Sequence, residues 1–92
     1  KGGVTPNAVA ALVRDAIALP GLHIVGLMSI PPFDDQPRDW FRQLRQLRDT
    51  VTEDTRVALP ELSMGMSHDF AEAIAEGATL VRVGTAIFGA RN

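Results

Sequence analysis

Two neighbouring stretches decide how this chain folds. They are Leu62-Ser63-Met64-Gly65-Met66-Ser67 and, after a short helical segment, Val81-Arg82-Val83-Gly84-Thr85-Ala86-Ile87-Phe88-Gly89. Each reads as a short apolar strand that ends in a Gly/Ser or Gly/Thr turn and feeds a helix. Turns of this kind suit a phosphate, because free backbone N–H groups and hydroxyls converge at a helix start. The second strand also carries an arginine between apolar neighbours.

Outward from there, Ser67 stands where it can cap a helix over His68–Glu76, with Phe70, Ala71 and Ile74 as its apolar side and Gly77 as its stop. Ala78–Val83 is the strand that follows, and Thr85–Phe88 begins a further turn. Upstream, Pro37 opens an amphipathic helix over Arg38–Asp54, in which Trp40, Leu44, Leu47 and Val51 share a face with Phe41. Ser29–Gln36, with two prolines and the turn-forming Asp34 and Asp35, is a loop. The apolar run Leu22–Met28 before it has strand length and no polar face, as in a parallel sheet covered on both sides. Thr5-Pro6 gives a cap and a first helical residue, and Val9, Leu12, Val13, Ala16 and Ile17 form one helical face that ends at Leu19-Pro20-Gly21.

The order is therefore α-β-α-β-α-β, an α/β class with crossovers between parallel strands. Three parallel strands alone leave apolar edges and incompletely covered faces. A (β/α)8 barrel has about 250 residues, so residues 1–92 read as a single piece of one, its last three βα units or so; the alternative is a small independent three-layer domain. The start at Lys1-Gly2-Gly3, without methionine, also reads as a fragment.

Composition narrows the function. The net charge of −2 offers no basic footprint for nucleic acid and no cationic face for a membrane, and no apolar run is long enough to span one. Cysteine is absent, which removes thiol nucleophiles and Cys-based metal sites. The cytoplasm is the expected location. His23, read as a core histidine in a strand, and His68, read as a solvated first-turn residue, lack metal-ligand spacing. Neither Ser63 nor Ser67 sits in a Gly-x-Ser-x-Gly elbow, and tyrosine is absent.

Arg82 is the most demanding residue, since a guanidinium in a buried strand needs a partner. Either it pairs with Glu61 on the neighbouring strand or with a residue elsewhere, or it points to the mouth of the barrel and donates to a ligand. Gly84-Thr85 is either an ordinary strand-to-helix turn or part of a phosphate site at the C-terminal end of a barrel strand. Ser67 suits both capping and phosphate binding. Met64 and Met66 either fill the core or line a ligand ring.

Taken together, Leu62-Ser63-Met64-Gly65-Met66-Ser67-His68-Asp69-Phe70, then Ala73-Ile74, Gly77-Ala78-Thr79 and Val81 through Arg91, resemble the C-terminal signature of the pyridoxal phosphate homeostasis proteins; Gly26-Leu27-Met28 and Ile30-Pro31-Pro32 resemble the strand and loop before it. The resemblance implies an alanine racemase N-terminal type barrel that binds pyridoxal 5′-phosphate. Carried onto matching positions, it implies that Ser67, Gly84 and Thr85 contact the phosphate, that Arg82 faces the pyridine nitrogen, and that Ser63 and Met64 lie near the ring or phosphate. The family's lysine that holds the cofactor covalently belongs on the first strand of the full chain. Lys1, the only lysine here, aligns instead with a later loop.

A guanidinium facing the pyridine nitrogen disfavours its protonation and weakens the cofactor as an electron sink. That favours a cofactor carrier or buffer, with pyridoxal-phosphate-dependent enzymes as its partners, over an enzyme. The alternative is an amino-acid racemase related to alanine racemase, which needs a second base that this chain does not supply. A third reading is a barrel for sugar phosphates, which leaves Arg82 without a distinct role. The isolated piece is expected to self-associate or to need the rest of the barrel.

Overall fold

The computed structural model describes residues 3–31 and 36–82. A single 3-10 turn over Pro6–Ala8 leads into helix α1 (Val9–Ile17), followed by strand β1 (Gly26–Met28), helix α2 (Pro37–Thr55), strand β2 (Glu61–Ser63) and helix α3 (Phe70–Ala75). β1 and β2 pair in parallel, with Gly26, Leu27 and Met28 opposite Glu61, Leu62 and Ser63. On the other side of β2 a third segment joins through a parallel bridge from Ser63 to Leu80. There Met64 N–H donates to Leu80 O at 3.0 Å, Leu80 N–H to Leu62 O at 3.2 Å and Arg82 N–H to Gly65 O at 2.9 Å. Thr79 adds its hydroxyl to this ladder, accepting from Leu62 N–H at 2.8 Å. The α/β order and the parallel pairing agree with the sequence pattern; the third strand is reduced to a bridge among the described residues, and the expected turn over Thr85–Phe88 lies outside them.

β2 is the middle of this small sheet and carries the core. Leu62 and Met64 are fully buried, packed with Phe41 and Leu44 of α2 and Ala73 of α3. A second cluster joins Val9 and Val13 of α1 to Val51 and Leu59, and Leu27 and Leu47 pack against both clusters. The long helix α2 thus lies across the sheet with α1 on one flank and α3 on the other. Its apolar face is close to the expected one, with Trp40 left 37% exposed at the rim. Past its last turn, Arg56 adopts a left-handed φ of 61° and donates its N–H to Thr52 O, closing the helix without glycine.

Several expectations change. Thr5 does not cap backbone: its hydroxyl donates to Asn7 Oδ1 at 2.8 Å. Strand β1 is only three residues long, and His23 is an exposed loop residue rather than a core histidine. Leu12 and Ile17 of α1 and Leu22, Val25 and Met28 around β1 are about half exposed, so the covering expected on both sides of the sheet is incomplete among the described residues.

The largest change is in α3. It starts at Phe70, not His68, and its expected apolar residues Phe70 and Ile74 are 38% and 56% exposed. The face turned inward is Asp69, Ala73 and Glu76, spaced at i, i+4 and i+7. Two acids are buried because each has dedicated donors. Glu76 receives Arg38 through Nε at 3.0 Å and Nη2 at 2.9 Å, Arg45 Nη1 at 2.8 Å, and Arg42 Nη2 at 3.5 Å. Arg45 also donates to the Glu76 carbonyl at 3.2 Å, a cation at the C-terminal end of a helix. Three arginines at i, i+4 and i+7 of α2 thereby lock α3 against it. By contrast, the Arg14–Asp54 pair between α1 and α2 is half exposed on both sides and adds little.

Gly65 sets how close α3 comes to β2. Its φ is +101°, and a Cβ there would stand 2.6 Å from Ala73 Cβ and 3.3 Å from Phe70 Cα. Gly65→Ala is expected to cost more than about 2 kcal/mol in urea unfolding of the full-length protein, from backbone strain plus overpacking. Gly21→Ala, at φ +84° with nothing within 4 Å, should cost only about 1 kcal/mol.

The hydrogen bond from Arg38, supported by the fields of Arg42 and Arg45, holds the Glu76 carboxyl below its ordinary value of 4.5 against the opposing effect of burial. A depressed folded-state pKa gives stability that is complete above the unfolded value and is lost as pH falls through the folded one. Acid titration followed by circular dichroism should therefore show a loss of stability beginning near pH 4.5 and deepening below it. In Glu76→Gln that acid-dependent component should be absent, with a lower plateau at neutral pH.

Candidate functional site

Parallel strands bring their C-terminal ends to one edge of the sheet, and the candidate residues gather there. Ser29, just past β1, donates its N–H to Ser63 O at 3.2 Å, so the ends of β1 and β2 are in register. Ser63 and Arg82 are half-buried. Arg82, on the third segment, is tied to Gly65 through its own N–H, and its side chain crosses the end of β2 to donate Nη2–H to Ser29 O at 3.2 Å. Arg82 therefore links all three parallel segments, its backbone N–H bonded to the chain just past β2 and its guanidinium to the chain just past β1. It forms no ion pair with Glu61 among the described residues.

This edge is also where hydrogen bonding is incomplete. Arg82 Nε and Ser29 Oγ are buried and have no partner among the described residues. A buried donor on a charged group left without an acceptor is costly, and folded proteins seldom leave one. The third such atom, Thr52 Oγ1, belongs to α2, where Thr52 lines a surface cleft with Arg48, Leu59 and Pro60. Beside Ser29 a second cleft of about 530 Å³ opens between the end of β1 and α2, lined by Ile30, Pro31, Trp40, Leu44 and Leu47 among others.

After β2 the chain turns through Met64–Asp69. Met64 lies at 0% exposure in the core cluster, where a flexible thioether fills the space between β2, α2 and α3. Met66 is 37% exposed. Ser67 is half-buried in the turn that follows. The residue at the cap position of α3 is Asp69, not Ser67. Asp69 Oδ1 accepts from Met66 N–H at 2.8 Å and Asp69 N–H donates to Met66 O at 3.2 Å, so the acid closes the loop that presents Ser67. Its Oδ2 lies 3.3 Å from His68 Nε2, with His68 half exposed. Asp69 thus turns its carboxylate back into its own loop, where a neutral backbone donor and His68 occupy it.

Ser63, Met64, Ser67 and Arg82 therefore come from the two stretches quoted at the outset and lie at or just beneath one end of the sheet. Gly84, Thr85 and Lys1 lie outside the described residues, as do Asp34 and Asp35. Sequence reasoning missed Ser29, Asp69 as a loop closer, and Glu76. The three arginines on one face of α2 were the available signal for Glu76, since such a face calls for a buried anion. No signal marked Ser29, whose role depends on the strand order. Among the described residues no group of three or more His, Asp or Glu side chains is placed to hold a metal ion, and no helix is long and apolar enough to cross a membrane.

Known proteins share this architecture. The chain is 52% identical to a pyridoxal phosphate homeostasis protein of Aquifex aeolicus over 99% of its own length and 41% of that protein's, and 43% identical to one of Deinococcus radiodurans over 96% and 40%. It therefore spans about two fifths of the curated relatives it matches. The solved structures of PipY from Synechococcus elongatus PCC7942, with and without PLP bound, superpose on it with a TM-score of 0.86 at 36% and 38% identity, covering 97% of this chain and 44% and 43% of theirs. The match to the family described as alanine racemase, N-terminal domain, runs over residues 1–92, and the chain belongs to that family, with its α/β barrel type of fold.

Proposed function

We propose that this chain is the C-terminal part, the last three βα units or so, of a (β/α)8 barrel that holds and buffers pyridoxal 5′-phosphate without turning over a substrate. The observation that carries the proposal is the buried Arg82 Nε, a charged donor at the strand ends with no partner among the described residues. A heteroaromatic nitrogen is an acceptor that satisfies such a donor without adding charge. Relatives over 40% identical are pyridoxal phosphate homeostasis proteins, and the PipY structure binds PLP, which supports the same ligand here.

In this assignment Ser67, Gly84 and Thr85 hold the phosphate and Arg82 faces the pyridine nitrogen. Ser63 lies alongside, and Met64 supports the turn from the core. When bound, the cofactor supplies an aldehyde and an electron-withdrawing ring. Arg82 only donates and stays charged, so it keeps the ring nitrogen unprotonated and limits the ring's capacity to take up electrons. That character suits storage and delivery to pyridoxal-phosphate-dependent enzymes better than racemisation. The half-exposed Leu22, Val25 and Met28 are then the surface that the remaining strands and helices of the barrel cover.

Reconstituted full-length protein should bind pyridoxal 5′-phosphate with an absorbance distinct from the free cofactor. Arg82→Glu, which places a carboxylate opposite the ring nitrogen, should change that spectrum; an unchanged spectrum would favour a barrel for other phosphates. Deuterium exchange at Cα of alanine should stay at background, and fast exchange with racemisation would instead establish the enzyme. For the isolated 92-residue chain, sedimentation should reveal self-association. A monomer with sharp two-state unfolding would count against the barrel-segment assignment.

A further inference from the structure

We propose that Ser29 is a further ligand-binding residue, and that its hydroxyl and Arg82 Nε form one hydrogen-bonding pair that receives the nitrogen-bearing edge of a heteroaromatic ring. This inference rests on the function proposed above and extends it to a residue on a different strand. Three observations carry it. Ser29 O accepts from Arg82 Nη2 at 3.2 Å, which fixes the orientation of the guanidinium. Ser29 Oγ and Arg82 Nε are both buried without partners among the described residues. Covalent geometry keeps a serine Oγ within a few ångströms of its own carbonyl oxygen and an arginine Nε close to its Nη2, so the two unpaired groups lie in the same neighbourhood at the strand ends.

Their chemistry differs in a useful way. A guanidinium N–H only donates, whereas a hydroxyl donates and accepts. The carbonyl of Ser29 engages Nη2 and leaves Nε as the open donor, while the hydroxyl donates a second hydrogen bond to the same ring nitrogen, whose single lone pair the two donors share. Ser29 is held for this task from the other side as well, because its N–H donates to Ser63 O at 3.2 Å. Its main chain is fixed by Ser63 of β2 and by the Arg82 side chain, and its hydroxyl remains without a partner among the described residues. The competing occupant is a water molecule, for which the adjoining cleft of about 530 Å³ gives a route.

The test compares pyridoxal 5′-phosphate with its analogue that carries carbon in place of the ring nitrogen, titrated into the full-length protein. Ser29→Ala should weaken binding of pyridoxal 5′-phosphate by about 3- to 10-fold, the range of one net hydrogen bond. It should leave binding of the carbon analogue and of inorganic phosphate unchanged, and Ser29→Thr should restore the lost affinity. Ser29→Cys, which keeps the shape with a somewhat larger atom and weakens the hydrogen bond, gives the same reading if the alanine variant does not fold. Equal weakening for both ring compounds, or no weakening at all, overturns the proposal, the second result assigning the two groups to a water. If the unsubstituted protein binds no pyridoxal 5′-phosphate, the proposed function fails and this inference with it; binding that is indifferent to Ser29 removes this inference alone.

Discussion

Everything in this fold depends on the hydrogen bonding of β2 on both sides. Glu61–Ser63 pair with β1 on one edge, and Leu62, Met64 and Gly65 bond the Thr79–Arg82 segment on the other. Because parallel pairing needs a crossover between neighbours, that short strand dictates where α2 and α3 must run. Leu62 and Met64 then present the fully buried side chains on which Phe41, Leu44 and Ala73 converge. The same pairing delivers Ser29, Ser63 and Arg82 to one end of the sheet. Core and candidate site are consequences of one ladder.

Arginine is used here in two opposite ways. On α2, three guanidinium groups surround the carboxylate of Glu76, and each is close enough to hydrogen-bond or pair with it. Planar, multi-donor cations suit that arrangement, which gives a physical basis for part of the preference for arginine over lysine, eight against one in the sequence. At the strand ends Arg82 has a carbonyl for one nitrogen and nothing for another among the described residues. The first arrangement is saturated and holds helices together. The second is unsaturated and leaves a buried donor open at the strand ends.

Much of this was legible in residue order. The βα alternation and the limits of α2 to within a residue or so follow from apolar runs, proline at a helix start and glycine at turns. The assignment of α3 failed for a specific reason. Hydrophobic patterning expects apolar residues inside, and it chose Phe70 and Ile74; the structure buries Asp69 and Glu76, because donors from a loop and from another helix compensate them. Nothing local to Glu76 announces three arginines more than thirty positions earlier. The exposure of Leu22 and Val25 likewise depends on which elements cover β1, and a strand's own sequence does not say which.

Residue order alone settles the class of fold, the positions of the turns and the presence of a lone arginine among apolar strand residues, because periodicity, proline and glycine act over a few residues. What that arginine touches depends on how distant segments assemble. Arg82 reaches Ser29, 53 positions earlier in the chain, since β2 lies between their segments and its end is short enough to cross. Pairing order is a property of the whole sheet, and hydrogen bonds between distant segments are assigned only once that order exists.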